Sequence, residues 1–511
     1  MDNENVDYPQ PVLNPDVPIF ADLMRAAAVR FPHREAFVHG SERITYAQWY
    51  EQSLRCGHAL RERGAVPGSI VLIALENSID FAICFAAAQL IGAIASGVNV
   101  RLGRRELNSI VTRSGAPVIV LEDNAPFASQ GQATIRRSDL DAIRHEGAAA
   151  VPHLGKPDDL AVVIWTSGTT GLPKGACFSH DNLRRAIRTA GPLAAPFARK
   201  LGSVPFAHAG FMSKGWEQVA FGMTLVIAAV PWNADDTLRL LLDERITIAG
   251  AVPTQWAKLV LLAAKADLSL PDLKVGISAT APAPPDLIAQ VSSVFKVPLI
   301  VRYSMTECPS MTGTRTSDSA EVQFRTVGRP QPGVELRLLD ADFKDVRHGE
   351  IGRIAVRSKT AMVGYWEDAE RTAEVFLDDG WLLSGDLGHF DKAGNLVLAG
   401  RSGEMYIRGG YNVYPVEVER VLAEMPEIAA AAVVGVPAPV IGEIGVAFVV
   451  PRESESPPTL ATVRDKIRAE LADYKAPDHL VLTDALPVNA MMKIDKTELK
   501  RIAASLEITR G

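Results

Sequence analysis

Residues 166–175 read Thr-Ser-Gly-Thr-Thr-Gly-Leu-Pro-Lys-Gly and carry the strongest local signal in the chain. They directly follow an apolar run, 160–165, that is typical of a buried β-strand. The glycines let backbone N–H groups approach a phosphate closely, the four hydroxyls add donors, and Lys174 supplies a compact positive charge. The stretch therefore predicts a phosphate-binding loop at the end of a strand.

The order of residues in this loop argues against a P-loop NTPase. That motif requires G-x-x-x-x-G-K-[ST]. When the count starts at Gly168, Pro173 occupies the second glycine position and Gly175 follows the lysine. A nucleotide-binding loop of another kind is therefore favoured.

The sequence on both sides of the loop alternates between strand-like and helical patterns. The predicted strands are 69–75, 118–121, 160–165, 224–229 and 247–252, and the predicted helices are 23–31, 47–63, 80–91 and 237–244. Such alternation is typical of α/β layers around largely parallel sheets. The pattern changes near Arg329, because 334–398 reads as short alternating strands of an antiparallel β subdomain. Beyond Arg401 the sequence predicts a compact α+β unit.

Composition places the chain among folded globular proteins. Of its 511 residues, 47% are hydrophobic and 22% are charged, and the net charge of -7 gives no sign of a nucleic-acid surface. The four cysteines are scattered, so a disulfide framework or a structural zinc site is not expected, and a reducing, cytoplasmic location is predicted. The most apolar segment, 81–98, is interpreted as a buried helix that leads into a strand.

The loop string resembles the signature of the adenylate-forming superfamily, T-S-G-T-T-G-x-P-K-G. This superfamily includes acyl-CoA synthetases, adenylation domains of peptide synthetases and beetle luciferases. Ten further segments resemble the family's motifs in the family's order: 205–208, 252–254, 278–282, 303–307, 384–386, 400–401, 409–412, 415–417, 474–477 and 486–494. Each match alone is weak, but their joint order makes a chance resemblance very improbable.

The resemblance implies an α/β fold of two domains. A large N-terminal domain, 1–401, would combine α/β layers with a β subdomain at about 330–400. A small mobile α+β domain, 402–511, would follow a hinge near 401–404. In the family this small domain rotates between the two halves of the reaction.

The resemblance also implies how ATP is bound. The residues assigned to ATP and AMP are Thr166, Ser167, Gly168, Thr169, Thr170, Gly171, Lys174, Ser278, Ala279, Thr280, Ala281, Tyr303, Ser304, Met305, Asp386 and Arg401. Among them, Tyr303 would stack on adenine and Asp386 would accept the ribose hydroxyls. The assigned catalytic residues are Lys493, Thr306, Glu307 and His208, and Glu307 would hold Mg²⁺.

By the same resemblance the chain is an acyl-CoA ligase. It would convert a hydrophobic carboxylic acid, ATP and coenzyme A to acyl-CoA, AMP and pyrophosphate through an acyl-adenylate. The predicted acyl pocket consists of His208, Phe211, Met212, Trp216, Trp256 and Ser278, and the predicted CoA-binding residues are Gly409, Gly410 and Tyr411. The identity and chain length of the acid stay open.

Three positions depart from the family pattern. Gly403 replaces the usual Asp or Lys of the hinge, Met492 replaces the glycine before the catalytic lysine, and Ala438 replaces a frequent Asp. These departures leave open a ligase that is weak in adenylation and thioesterifies an acyl-adenylate made by a partner enzyme.

Several other functions compete with this interpretation. An amino-acid adenylation domain is disfavoured because no acidic residue lies between Phe206 and Trp216. A stand-alone acyl-AMP ligase that loads a carrier protein stays open, as does a homodimer, and a luciferase-like oxygenase is less favoured. A nucleotide-binding regulator is disfavoured because the catalytic acids and Lys493 are all present.

Overall fold

The structure, a computed structural model, describes residues 8–125, 131–166, 173–278, 285–408, 411–438, 442–452, 457–489 and 493–506. The first part of the chain alternates helices and short strands. In order, these are α1 Phe20–Arg30, β1 Glu35–His39, β2 Glu42–Thr45, α2 Tyr46–Glu62, β3 Ile70–Ala74, α3 Ile79–Leu90, β4 Ile94–Gly97, α4 Arg104–Ser114, β5 Val118–Leu121, β6 Ala133–Arg136, α5 Arg137–Glu146, β7 Leu160–Thr166, β8 Lys174–Ser179 and α6 His180–Ala186. The strands predicted at 69–75, 118–121 and 160–165 are thereby confirmed.

The next part of the chain continues the alternation. It contains β9 Arg199–Gly202, α7 Ala209–Met212, α8 Gly215–Phe221, β10 Thr224–Ile227, α9 Ala234–Asp243, β11 Ile248–Ala251, α10 Pro253–Lys265, β12 Val275–Ser278, α11 Pro285–Phe295, β13 Leu299–Met305, β14 Cys308–Gly313, α12 Ala320–Arg325 and β15 Arg329–Pro330. The sequence of alternating strands and helices builds two large, mostly parallel sheets, as the pattern predicts.

The β subdomain and the C-terminal unit complete the chain. The elements are β16 Val334–Leu339, β17 Gly352–Ser358, β18 Gly364–Tyr365, α13 Ala369–Val375, β19 Leu382–Phe390, β20 Leu396–Arg401, β21 Tyr406–Arg408, β22 Tyr411–Val413, α14 Pro415–Ala423, β23 Ile428–Ala438, β24 Gly442–Pro451, α15 Leu460–Glu470, β25 His479–Leu482 and α16 Lys496–Ser505. The hinge that we predict at 401–404 begins at the last residue of β20 and ends before β21, and the domain limits stay a prediction.

Four sheets organise these elements. A seven-stranded sheet has the order β18-β8-β7-β4-β3-β5-β6, and a nine-stranded sheet has the order β15-β14-β13-β12-β11-β9-β10-β1-β2. The predicted antiparallel subdomain is a four-stranded sheet, β16-β17-β19-β20. The C-terminal unit has a five-stranded sheet, in which β25 pairs parallel to β24.

The two large sheets share one hydrophobic core. This core contains residues of β3 and β7 from one sheet and of β1 and β12 from the other, packed around α2, α3 and α8. A second cluster joins the outer face of the nine-stranded sheet to α9, α10 and α11, and a third joins the outer face of the seven-stranded sheet to α4. The result is a set of alternating helical and sheet layers.

The apolar segment at 81–98 folds as predicted into a helix and a strand. Ser78 caps α3 by accepting a hydrogen bond from the Phe81 amide, and every residue from Phe81 to Leu90 is buried. A helix that is apolar on all sides belongs in a protein core or a membrane. Among the described residues, no helix has both the length and the apolar character needed to cross a bilayer.

Candidate active site

The ends of strands from both large sheets bring the predicted site residues together. Thr166 ends β7, Ser278 ends β12, and Tyr303 lies near the end of β13. In α/β sheets, ligands bind at the carboxyl ends of the strands. The predicted site therefore lies where this architecture places binding sites.

The predicted phosphate loop is flanked by a paired hairpin. Thr166 on β7 pairs with Lys174 on β8, so both ends of the loop are held in register. The Lys174 ammonium lies 5.2 Å from the centroid of the Tyr365 ring. The predicted residues between these ends, Ser167, Gly168, Thr169, Thr170 and Gly171, lie outside the described residues.

The tight turn between β13 and β14 presents Thr306 and Glu307. The Glu307 carbonyl accepts a hydrogen bond from the Met362 amide at 2.8 Å, which fixes the turn. The Tyr365 hydroxyl donates to Glu307 Oε1 at 2.7 Å. Burial, and then the charge of Glu307, raise the pKa of Tyr365, so the phenol keeps its proton and remains a donor.

The Asp386 carboxylate accepts hydrogen bonds from two side chains. It lies on β19 opposite Arg401 of β20. The Tyr303 hydroxyl donates to Asp386 Oδ2 at 2.5 Å, and Arg401 Nε donates to Oδ1 at 3.1 Å. Burial raises the pKa of Asp386 above its ordinary value, while Arg401 and the Tyr303 hydrogen bond act in the opposite direction. The two donors thus help this carboxylate to remain ionised.

His208 stands at the N-terminus of α7 beside Asn99. Its Nε2 lies 3.0 Å from the amide nitrogen of Asn99. Because an amide nitrogen only donates, Nε2 accepts and the proton of the neutral ring lies on Nδ1. Burial lowers the pKa of His208 to about 4, and the charge of Lys493 contributes to the decrease. The imidazole is therefore neutral at pH 7 and has one N–H to offer a ligand.

Lys493 reaches this site from the C-terminal unit. Its amide donates to Asn489 Oδ1 at 3.2 Å, and its carbonyl accepts from the Asn489 amide at 2.8 Å. Although the residue is exposed to solvent, desolvation of its ammonium by the surrounding protein lowers its pKa. The charge of Arg401 lowers this pKa further, whereas Asp386 and Glu307 raise it. The Lys493 ammonium is therefore electrostatically coupled to the Asp386–Arg401 pair and to Glu307.

The predicted acyl-pocket residues separate into two groups. Phe211, Met212 and Trp216 lie in the core shared by the two sheets, close in sequence to His208, and Phe211 stacks on Phe206 with centroids 3.9 Å apart. A small cavity beside this group is lined by Gly97, Asn99, Leu102, Trp165, Thr166, Pro173, Ala207 and His208.

Trp256 belongs to the second group and is not brought to His208. It packs against Phe295 in the cluster under α10 and α11, and its Nε1 donates to the Ile277 carbonyl at 3.0 Å. Ser278 is fully buried, and its Oγ has no partner in the described part of the chain. Ala279, Thr280 and Ala281, predicted to follow it along the adenine, lie outside the described residues.

In the C-terminal unit, Tyr411 is 58% exposed and stacks on Tyr474 with centroids 4.6 Å apart.

Gly403 is exposed, and a Cβ added there would meet no atom within 4 Å. The backbone at the predicted hinge thus has room for a side chain. Gly409, Gly410 and Met492 lie outside the described residues.

Sequence reasoning missed three residues that contact the site. Asn99 contacts His208 across 109 residues, and Tyr365 contacts Glu307 across 58. Arg113 donates to the Pro173 carbonyl at 2.6 Å and to Asp368 at 3.2 Å, at the closing end of the phosphate loop. Asn99 follows the end of β4, and its position at a strand end could have indicated a site residue from the sequence. No sequence pattern indicated Tyr365 or Arg113.

Comparison with known proteins adds independent findings. A family model described as AMP-binding enzyme matches residues 24–366, and one described as AMP-binding enzyme C-terminal domain matches 417–493. The chain is 32% identical to a 3-[(3aS,4S,7aS)-7a-methyl-1,5-dioxo-octahydro-1H-inden-4-yl]propanoyl:CoA ligase of Mycobacterium tuberculosis, over 93% of this chain and 96% of that protein. It is 30% identical to a long-chain-fatty-acid–CoA ligase of the same organism, over 94% and 97%.

Among solved structures, the chain resembles the o-succinylbenzoate CoA synthetase of Bacillus subtilis in complex with an acyl-adenylate intermediate. The TM-score is 0.82 at 26% identity, and the match covers 95% of this chain and 98% of the other. The similarity therefore extends over both the large body and the C-terminal unit.

Proposed function

Because the chain belongs to the AMP-binding enzyme family, we propose that its site performs both half-reactions of an acyl-CoA ligase. The enzyme is an AMP-forming acid–thiol ligase that uses ATP and coenzyme A. The residue assignments are supported by the contacts around the two carboxylates, since Asp386 accepts from Tyr303 and Arg401 and Glu307 accepts from Tyr365. The charges of Asp386 and Glu307 also act on the pKa of Lys493.

In the first half-reaction, a carboxylate oxygen of the acid attacks the α-phosphorus of ATP. The new P–O bond gives the acyl-adenylate, and the bond to pyrophosphate breaks. Both reactants are anions, so the site must neutralise negative charge. We assign Lys493 and Thr306 to the α-phosphate and Lys174 to the departing pyrophosphate.

His208 positions the acid in this scheme. The substrate carboxylate is already ionised at pH 7, so the step requires no general base. The neutral ring of His208 accepts from Asn99 through Nε2, which leaves Nδ1–H to donate to a carboxylate. A charged imidazolium is not needed because Lys493 supplies the positive charge.

Asp386 is assigned to the ribose. An ionised carboxylate offers about four lone-pair positions. Tyr303 and Arg401 occupy one position on each oxygen, so acceptor capacity remains for two ribose hydroxyls.

Mg²⁺ fits this site only together with the nucleotide. Glu307 offers a carboxylate, and magnesium prefers oxygen ligands in octahedral geometry, typically one or two carboxylates with phosphate oxygens and water. No group of three His, Cys, Asp or Glu side chains in the described ranges could hold a metal by itself. We propose that Glu307 holds Mg²⁺ against the phosphates, where the ion would neutralise part of their charge.

The second half-reaction transfers the acyl group to the thiol of coenzyme A and releases AMP. We propose that the unit 402–511 rotates about 401–404, withdraws Lys493 and brings Gly409 and Gly410 to the site. Glycine suits this position because the pantetheine arm must pass close to the backbone. Tyr411, exposed and supported by Tyr474, provides a flat face beside this loop.

The acid is proposed to be hydrophobic, because the residues close in sequence to His208, Phe206, Phe211 and Met212, are apolar and buried. The relatives named above act on a fused-ring propanoate and on long-chain fatty acids, so ring-bearing and aliphatic acids both belong in a screen. A cytoplasmic location is proposed from the four free cysteines of the chain.

The decisive experiment is a product analysis. Purified enzyme is incubated with ATP, Mg²⁺, coenzyme A and a panel of acids, and the nucleotide and thioester products are identified by chromatography and mass. We expect acyl-CoA with AMP and pyrophosphate in equal amounts. Release of ADP and phosphate in step with acyl-CoA would contradict the proposal.

A further inference from the structure

The loop after β3 holds the chain segment that leads into His208. Asn77 lies in this loop, three residues beyond the strand. Its Oδ1 accepts from the Phe206 amide at 2.7 Å, and its Nδ2 donates to the Val204 carbonyl at 2.8 Å. Both polar groups of one side-chain amide are therefore used to fix the backbone just before His208.

The end of β4, the parallel neighbour of β3, packs against the same segment. A Cβ added to Gly97, the last residue of β4, would lie only 2.7 Å from the Ala207 Cα, so this close approach of two backbones requires glycine. On the other side, the His208 carbonyl accepts from the amides of Phe211 and Met212 at 3.0 and 2.9 Å. The backbone of His208 is thus fixed in both directions, and the freedom that remains belongs to its side chain.

Asn99, two residues beyond β4, contacts that side chain. Its Oδ1 accepts from the Arg101 amide at 3.0 Å, which determines the orientation of the side-chain amide, because an amide nitrogen cannot accept this bond. Nδ2 is therefore the atom that lies 3.0 Å from His208 Nε2, and it donates to it. The hydrogen bond at one ring nitrogen decides where the proton of a neutral imidazole lies, so the proton is on Nδ1.

The Asn99–His208 pair borders the predicted phosphate loop. Both residues line the small cavity described above, together with Thr166 and Pro173 at the two ends of the loop. Burial lowers the pKa of His208 to about 4, and the charge of Lys493 adds to the decrease, so the ring is neutral at pH 7. A neutral ring has a single N–H, and the orientation of Asn99 decides which nitrogen carries it.

We propose that Asn99 is a positioning residue that holds His208 in the tautomer whose Nδ1–H donates to the reacting carboxylate of the acid. The inference rests on the proposed function, because the acceptor is the substrate of that reaction. An ionised carboxylate only accepts hydrogen bonds. In the opposite tautomer the Nδ1 lone pair would face the carboxylate and repel it. Asn99 therefore acts on acid binding through His208.

A purely structural role would make a different demand on this position. A buried histidine needs a partner for its polar atoms, and an aspartate of almost the same shape supplies one by accepting from Nε2–H. Asn99→Asp therefore keeps the contact and reverses its direction. In this variant the neutral ring offers the substrate only a lone pair at Nδ1, whereas the protonated ring still offers Nδ1–H.

The kinetic test is the ratio of the variant's KM for the acid to that of wild type, measured across the pH range. The acid is one that wild type converts, from a panel that includes octanoate and 3-phenylpropanoate. In Asn99→Asp the added carboxylate raises the pKa of His208. The ratio should increase by roughly ten- to a hundredfold as the pH rises through that pKa, because a hydrogen bond to a charged group is lost. The KM for ATP at saturating acid should match that of wild type.

The tautomer is measured directly by nitrogen–proton correlation NMR on enzyme labelled with nitrogen-15 histidine, and the signals of His208 are assigned from His208→Gln. We expect the proton on Nδ1 in wild type at pH 7, and on Nε2 in Asn99→Asp above the raised pKa. Asn108→Asp is the matched control, because Asn108 is an exposed asparagine of α4. It should keep the wild-type tautomer and the wild-type KM at every pH.

Asn99→Leu deletes the donor without reversing it, and it should raise the KM for the acid by roughly two- to tenfold at all pH values, the net effect of one neutral hydrogen bond. A wild-type ring with its proton on Nε2 overturns the inference even if neither variant folds. A constant KM ratio in Asn99→Asp also overturns it, while the acyl-CoA formed in that assay leaves the proposed function standing. The absence of acyl-CoA from every acid removes both.

Discussion

Tyr365 holds the carboxylate that we assign to the metal. Its hydroxyl donates to Glu307 at 2.7 Å while its ring lies under Lys174, so one side chain contacts both charges of the phosphate region. Tyr365→Phe keeps the ring and deletes only the hydrogen bond. We expect kcat/KM for ATP to fall by roughly ten- to a hundredfold, since a hydrogen bond to a charged group contributes roughly 1.5–3 kcal/mol.

Steady-state kinetics at several Mg²⁺ concentrations would check this expectation, with thermal melting to establish that the variant folds. Tyr50→Phe is a suitable control, because Tyr50 is a partly buried tyrosine of α2 far from Glu307 in the sequence. An unchanged dependence on ATP and Mg²⁺ would show that Glu307 is positioned without Tyr365.

Asp386 should set the acid limit of activity. Burial raises its pKa, so as the pH falls this carboxylate gains a proton earlier than an ordinary aspartate and loses its capacity to accept two ribose hydroxyls. Arg401 opposes this shift. Arg401→Met should therefore move the acid limb of the kcat/KM profile for ATP to higher pH, in addition to lowering its plateau.

The measurement is a pH profile of kcat/KM for ATP in wild type and Arg401→Met. Arg105→Met, at an exposed arginine of α4, should give the wild-type profile. A shift of the limb to lower pH would mean that another group controls it.

At the scale of the element, the β7–β8 hairpin depends on a contact from a distant helix. Arg113 of α4 joins the Pro173 carbonyl to Asp368, which caps α13. Arg113→Met should loosen the closing end of the phosphate loop and raise the Kd for ATP by about tenfold, because charge-assisted hydrogen bonds are lost. ATP titration by calorimetry would measure this directly, and an affinity equal to that of wild type would exclude the role.

The elements also show what sequence patterns can and cannot predict. The strands Ile70–Ala74 and Val118–Leu121 were predictable because continuous apolar runs of this length are typical of buried parallel strands. The pairing of β18 with β8 was not, since β18 has two residues and lies far along the chain. For the same reason the sequence could place Asp386 and Glu307 in the site by resemblance but not Tyr365. Trp256 packs in the cluster under α10 and α11, a location that its position after a family motif did not predict, and its role in the acyl pocket stays a prediction.

At the scale of the whole molecule, the position of Lys493 bears on the two half-reactions. The charges of Asp386 and Glu307 act on the pKa of Lys493, and Lys493 acts on that of His208. We propose on this basis that the arrangement for adenylation is accessible despite the unusual residues at 403 and 492. We therefore expect pyrophosphate exchange with the free acid to be at least as fast as overall turnover. Lys493→Gln should abolish exchange yet still convert a supplied acyl-adenylate to acyl-CoA.

If the wild type shows no pyrophosphate exchange but converts a supplied acyl-adenylate to acyl-CoA rapidly, this expectation is contradicted. That result would favour an enzyme that depends on a partner for adenylation. Gly403→Asp provides a structural control, because a side chain at this exposed position meets no neighbour. It should fold with wild-type stability, and any change in exchange would then report on the hinge.

Because the charge of Lys493 lowers the pKa of His208, the protonation of this imidazole should report the position of the C-terminal unit. When the unit turns away, the ammonium leaves and the proton affinity of the ring rises, although burial still holds its pKa below that of a free histidine. The ring signals of His208 in an NMR titration should therefore titrate at higher pH in Lys493→Met than in wild type. An enzyme arrested in thioester formation should show the same displacement, and a mixture of conformers should appear as two resonances or one averaged position, according to how fast they interconvert.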